Sequence, residues 1–306
     1  MGRGARPASA PCIRSLSRET PVTMQTVTTL AALREAVARL RETGEIALVP
    51  TMGALHEGHL ALVRRARELA PSVVASIFVN PTQFGPNEDL DAYPRQMEED
   101  ARLLKDAGVA LLWAPPVEEV YPEGFATSVS VAGISEGLCG AARPGHFTGV
   151  ATVVAKLFNQ VAPDIAVFGE KDWQQLAVIR RMARDLDLTQ PRADRIVGVP
   201  TVREEDGLAM SSRNRYLSHK ERAAASALPR EMKEAIARIA AGEQIGTVLA
   251  RLQDALIAAG FNSVDYAALA DAESLEMLER VPVRAARLLV AARIGKTRLI
   301  DNMSVA

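Results

Sequence analysis

The sequence predicts an α/β protein, a doubly wound parallel sheet followed by a smaller C-terminal α+β domain. Two observations predict it. Apolar runs at 45–50, 72–80, 109–115, 164–169 and 194–202 have the length of buried strands. They alternate with helical stretches, the pattern of βαβ units. Past about residue 203 the texture changes to alanine-rich helices and then a few strand-like pieces.

Taken in order, 26–44 is an amphipathic helix closing on Gly44, ahead of the first strand at 45–50. A second helix from His59 places Leu60, Val63, Ala66 and Leu69 on one face and arginines on the other. The strand at 72–80 stops at Pro81, in the turn-rich segment NPTQFGPNEDLDAYP. Helices at 96–108, 147–163 and 172–188 then alternate with the third, fourth and fifth strands. Beyond them, 218–242 and 245–260 read as helices, and 263–271 and 287–301 as strand-like pieces. The N-terminal stretch 1–23 is rich in arginine and serine, lacks a secretory apolar core, and reads as a disordered extension ahead of a start at Met24.

Composition narrows the function. A net charge of −1 argues against a broad electrostatic grip on nucleic acid or an anionic membrane. No apolar run reaches the roughly 20 residues that span a bilayer. Two cysteines, Cys12 and Cys139, make neither a disulfide framework nor a cysteine-rich zinc site, which suits a cytoplasmic protein.

Three clusters at strand ends carry chemistry. TMGALHEGHL (51–60) places His56 and His59 three apart at a strand–turn–helix junction, where open α/β sheets bind ligands. The zinc-protease pattern needs histidines four apart with a further ligand, so no metal site is expected here. FGEKDWQQ (168–175) puts Gly169 where backbone can approach a ligand and Lys171 at the mouth of the sheet. GLAMSSRNRYLS (207–218) offers the hydroxyls of Ser211 and Ser212 and the forked donor of Arg213 to phosphate oxygens. Each also has a plain reading as a helix cap. No P-loop and no G-x-G-x-x-G after the first strand is present, so a nucleotide would be held another way.

The pair His-x-Gly-His and Met-Ser-Ser resembles the H-I-G-H and K-M-S-K-S signatures of class I nucleotidyltransferases, with Ala209 in place of the first lysine and Arg213 supplying the second cation. With VPTMGALHEGHL, FVNPTQFGPNEDLDAYPR, RPGHFTGV, VFGEKDWQQ and DGLAMSSRN in order, the chain over 24–303 looks like the pantoate–β-alanine ligase family. The resemblance implies a Rossmann-like nucleotide- and pantoate-binding domain at 24–201 and a lid domain at 202–306. It implies condensation of pantoate with β-alanine, ATP being split to AMP and pyrophosphate through a pantoyl adenylate. Magnesium would ride on the nucleotide, with Asp100 as an outer-ligand candidate, and the enzyme would be a homodimer.

By the same resemblance, ATP lies along Met52, Gly53, Ala54, Leu55, His56, Glu57, Gly58 and His59. It also meets Gly169, Glu170, Lys171 and Asp172, then Val202, and finally Met210, Ser211, Ser212 and Arg213. His56, His59, Lys171 and Arg213 are the expected catalytic residues, and His59, with a ring near its ordinary pKa of about 6.5, is the expected proton donor. Gln83 and Gln175 would hold pantoate, with Asn80 and Arg143 as weaker candidates. Rival readings are another carboxylate-activating nucleotidyltransferase and a non-catalytic nucleotide-binding module. The block holding Gln83 opposes the first, and the intact His56, His59, Lys171 and Arg213 oppose the second.

Overall fold

The computed structural model describes Met1 and residues 24–305 apart from 87, 89 and 281–283. The expected extension at 1–23 otherwise lies outside the described residues. Among them, six parallel strands make the first sheet: β1 (Gln25–Val27), β2 (Ile46–Thr51), β3 (Ser72–Ile77), β4 (Leu111–Trp113), β5 (Ile165–Gly169) and β6 (Ile196–Val199). Their spatial order is β1-β4-β3-β2-β5-β6. The chain builds outward from β2 in one direction and from β5 in the other, so these two neighbours flank the topological switch point.

Helices cover both faces. On one side pack α1 (Leu30–Arg41), α6 (His146–Val161) and α7 (Trp173–Asp185), and on the other α2 (Glu57–Leu69) and α3 (Met97–Asp106). Strand β2 shows why its sequence is continuously apolar. Ile46 and Leu48 enter the core under α6, Ala47 and Val49 the core under α2, and all four are fully buried. Two short helices, α4 (Val117–Val120) and α5 (Cys139–Ala142), lie in the connection before α6.

The C-terminal part has a core of its own, formed by α8 (His219–Ala225), α9 (Ala227–Ala240) and α10 (Ile245–Ala258) against an antiparallel sheet of β7 (Ser263–Asp271), β8 (Ala286–Ile294) and β9 (Thr297–Val305).

Four local expectations are corrected. The first helix begins at Leu30, capped by Thr29, which accepts from the Ala32 N–H. The residues before it form the edge strand β1 beside β4. The stretch 218–242 is two helices, because Pro229 has no N–H to donate four residues back and its ring crowds that carbonyl. The piece at 287–301 is a hairpin, with Ile294 paired to Thr297 across a two-residue turn led by Gly295 at φ +55°. Strand β3 ends at Ile77, and Asn80 then caps a 3₁₀ turn at Pro81–Gln83.

Candidate active site

The turn after β2 is built around its two histidines. His56 is the N-cap of α2, its Nδ1 accepting from the Gly58 N–H at 3.1 Å, while His59 Nδ1 accepts from the His56 N–H at 3.3 Å. This is a capping box made of imidazoles. Both Nδ1 atoms are acceptors, so each neutral ring carries its hydrogen on Nε2. The plain reading of His56 as a cap is met, and the capping bonds use only the Nδ1 atoms of the two rings. Burial pushes His59 down to about 3, helped by His56 and Lys171. Burial, then Lys171 and Arg215, push His56 down to about 4. The expectation of a His59 ring near its ordinary value does not hold, since burial beside cations disfavours the imidazolium.

The turn is held from behind. Gly53 and Ala54 have φ of +80° and +52°, the second unusual for a residue with a Cβ. Asp100, 1 % exposed, accepts from the Ala54 N–H at 2.8 Å and the Leu55 N–H at 2.9 Å. Its carboxylate is thus spent on backbone, which argues against the outer-ligand role for a metal. Among the described residues no group of three or more His, Cys, Asp or Glu gathers at metal-binding spacing.

Strand β5 delivers the second cluster next door, because Ala47 pairs with Ile165 and Leu48 with Ala166. Gly169 ends β5, and Lys171 Nζ lies 3.5 Å from Asp172. Burial lifts the Asp172 carboxyl, yet Lys171 and Arg213 hold it below its usual value. Asp172 makes no side-chain cap for α7.

The third cluster closes over both. Val202 and Met210 join through the Met210 N–H to the Val202 carbonyl at 3.0 Å. Ser211 caps the next turn by accepting from the Arg213 N–H, and Ser212 lies 3.4 Å from the buried Tyr93 hydroxyl. The Arg213 guanidinium stands 5.9 Å from the Tyr93 ring centre.

Gln83 is fixed from three sides. Its Oε1 accepts from Asn80 Nδ2 at 3.1 Å, which leaves the amide N–H₂ facing Met52 Sδ at 2.9 Å. Its backbone carbonyl accepts from His146 Nδ1 at 2.8 Å and from Arg143 at 3.3 Å. Arg143 also forks onto Glu88, so it braces the wall. Asn80, 1 % exposed, spends its amide on Gln83 and Gly149 and its oxygen on Thr82 and Tyr121.

A cavity of about 230 Å³ collects most of these groups. Met52, His56, Gly58 and His59 line it from the turn after β2 and the start of α2, and Gly169, Lys171, Asp172 and Gln175 from the end of β5 through the start of α7. Val202 and 210–213 line it from the closing loop, and Asn80 and Gln83 from the third side. It shares Lys171, Asp172, Gln175, Ser211 and Arg213 with a cleft of about 960 Å³ that reaches the C-terminal sheet. Gly53, Ala54 and Leu55 are buried behind this wall. Glu57 is exposed and pairs with Arg64, and Glu170 turns away to Arg287. Tyr93, Tyr121 and the bracing role of Asp100 escaped the sequence reading. Tyr93 lies in the DLDAYPR block, the one signal that could have found it.

The same burial predicts an acid response. His146 is pushed to about 4 by burial and Arg143, so three histidines stay neutral in the fold while the unfolded chain protonates near 6.5. Below about pH 6.5 the unfolded state binds more protons, so stability is full above that value and is lost as pH falls toward 4. The melting temperature, followed by circular dichroism, should decline from pH 6.5 to 4.5. A flat profile would show these rings open to solvent.

Known proteins share this architecture. Residues 25–304 match the family model for Pantoate-beta-alanine ligase. The pantothenate synthetase of Novosphingobium aromaticivorans is 67 % identical over 283 residues, covering 92 % of this chain and 99 % of that one. That of Sphingopyxis alaskensis is 61 % identical over 285 residues, covering 92 % and 100 %. The crystal structure of pantothenate synthetase from Thermus thermophilus superposes with a TM-score of 0.86 at 53 % identity, covering 92 % of this chain and 99 % of that chain. The ligase from Francisella tularensis, complexed with beta-gamma ATP and beta-alanine, gives 0.77 at 31 % identity, covering 92 % and 97 %. With a family match over nearly its whole described length and such relatives, this chain belongs to the pantoate–β-alanine ligase family.

Proposed function

We propose that this chain ligates pantoate to β-alanine through a pantoyl adenylate, splitting ATP to AMP and pyrophosphate. The observation that carries it is the adjacency of β2 and β5, which puts the Nε2–H donors of His56 and His59 and the ammonium of Lys171 around one cavity. A carboxylate attacking an α-phosphate needs alignment and donors for charge that grows on phosphate oxygens, and no protein nucleophile. His56, His59 and Lys171 supply those donors, and Ser211, Ser212 and Arg213 close on the phosphates from the loop. Val202 and Met210 offer apolar surface to the adenine. Gln83, its amide oriented by Asn80 with the N–H₂ against Met52 Sδ at the cavity wall, donates to pantoate, and Gln175 meets it from α7.

Magnesium, if carried by the nucleotide, would supply neutralisation of phosphate charge. Neither Asp100 nor Asp172 fits a chelating role, since Asp100 is engaged by backbone and Asp172 by Lys171. The unit 202–306 acts as a lid over the cleft, and the enzyme works as a homodimer in the cytoplasm. Among the described residues no helix is long and apolar enough to cross a membrane.

The test is substrate dependence. Pyrophosphate release should need ATP and pantoate alone, and AMP release should need β-alanine as well. A requirement for β-alanine before any pyrophosphate appears would rule out the adenylate.

A further inference from the structure

Two neighbouring residues of β9 hold opposite rims of the cavity. Asn302, 3 % exposed, donates both amide hydrogens, to the Glu170 and Lys171 carbonyls at 2.9 Å each. Its Oδ1 accepts from Arg287 at 2.6 Å. Arg287 in turn pairs with Glu170 at 2.8 Å and lies 3.5 Å over the Trp173 ring. The segment carrying Lys171 is thus clasped on both sides by the C-terminal sheet.

Asp301, 2 % exposed, faces the other way, as alternation along a strand requires. It takes Arg203 through both oxygens, at 2.7 and 2.9 Å, and Arg203 also donates to the Gly207 carbonyl at 3.0 Å. Arg203 bridges to Ala209, at the base of the loop that presents 210–213. A bidentate arginine pair on a buried carboxylate fixes direction as well as distance.

We propose that Asp301 and Asn302 are positioning residues, which set the separation of Lys171 from the Met210–Arg213 loop and so couple the C-terminal sheet to the adenylation step. This rests on reading Lys171 and Arg213 as phosphate-facing. Neither β9 side chain needs to touch substrate. Charge stabilisation falls steeply when a donor is misplaced by about 1 Å, which costs on the order of a hundredfold.

The experiment is a double-mutant cycle on single-turnover pyrophosphate release with saturating ATP and pantoate, folding being checked by circular dichroism. Asn302→Ala should slow the step by about ten- to a hundredfold. In a Lys171→Ala background the same change should cost less than about twofold, because the group it positions is already gone. Equal cost in both backgrounds would overturn the proposal and leave Asn302 a merely structural residue. A near-normal rate in Lys171→Ala alone would instead remove Lys171 from the phosphate site, and the proposed route with it. If Asn302→Ala does not fold, Asn302→Asp carries the same comparison. It keeps the shape and the Arg287 bond while losing both donated hydrogens.

Discussion

Replacing His59 with alanine is expected to slow pantoyl-adenylate formation by about 10²–10³-fold while changing ATP affinity only a few-fold. The magnitude is that of removing one donor aimed at charge developing in the transition state, roughly 2.7–4 kcal/mol. The structure sharpens the chemical question. His59 is neutral in the unliganded fold, and its Nδ1 is tied to the His56 N–H, so what it offers the cavity is a single Nε2–H. Anionic phosphate would raise its pKa, and the lowered starting point favours testing hydrogen-bond donation ahead of proton transfer. Glutamine is the natural substitute, because a capping box normally carries glutamine or glutamate at this position. It can accept from the His56 N–H and keep an amide donor, but it cannot deliver a proton. His59→Gln should therefore recover most of the lost rate in a single-turnover measurement of the adenylate. Failure of the rescue in a folded protein would restore proton transfer as the role, and a near-normal His59→Ala would remove the residue from the reaction.

What the sequence made legible follows the range of the interaction. His56 and His59 are three residues apart, so strand, turn and helix start together fix their geometry. The buried β2 and β5 announce themselves by apolar runs, and the clusters at their ends could be placed at the sheet mouth. That these strands are neighbours is a fact of topology, set by pairings across more than a hundred residues. The edge strand β1 was hidden because its three residues bury only Val27 and run directly into a helix cap. Only the family resemblance separates Gln174 from Gln175, since residue type and local pattern are the same for both. Yet the first is buried and bonded to Ile134, Gly137 and Cys139, while the second lines the cavity. Asp100 reads as a helix-face carboxylate and proves to be the support of Ala54 and Leu55, a partnership of residues 45 and 46 apart. Such braces have no local signature, because any acidic side chain on α3 would look the same.

The second large effect should come from one methyl group placed away from the phosphates. Gly149, near the start of α6, lies against the turn that carries Gln83. A Cβ there would fall 2.3 Å from the Thr82 carbonyl oxygen and 2.7 Å from the Gln83 backbone nitrogen. Neither is the end of a flexible side chain, so Gly149→Ala must drive the turn and the helix apart by most of an ångström. The Gly149 carbonyl also accepts from Asn80, the residue that orients the Gln83 amide. Helix propensity pulls the other way, alanine being favoured over glycine by about 0.8–1 kcal/mol, against about 1–3 kcal/mol for overpacking. The net loss of stability should therefore be modest, and the protein should stay folded. The displaced Gln83 is another matter: misplacement on that scale costs on the order of a hundredfold. We expect pantoate-dependent pyrophosphate release to fall by about that factor, with ATP binding, measured by calorimetry, unchanged. Gly246, at the start of α10, where an added Cβ would meet only the Gln244 side-chain amide at 3.8 Å, is the control, and Gly246→Ala should be neutral or slightly stabilising. Retention of normal pantoate kinetics in Gly149→Ala would mean that Gln83 is not the residue that holds pantoate.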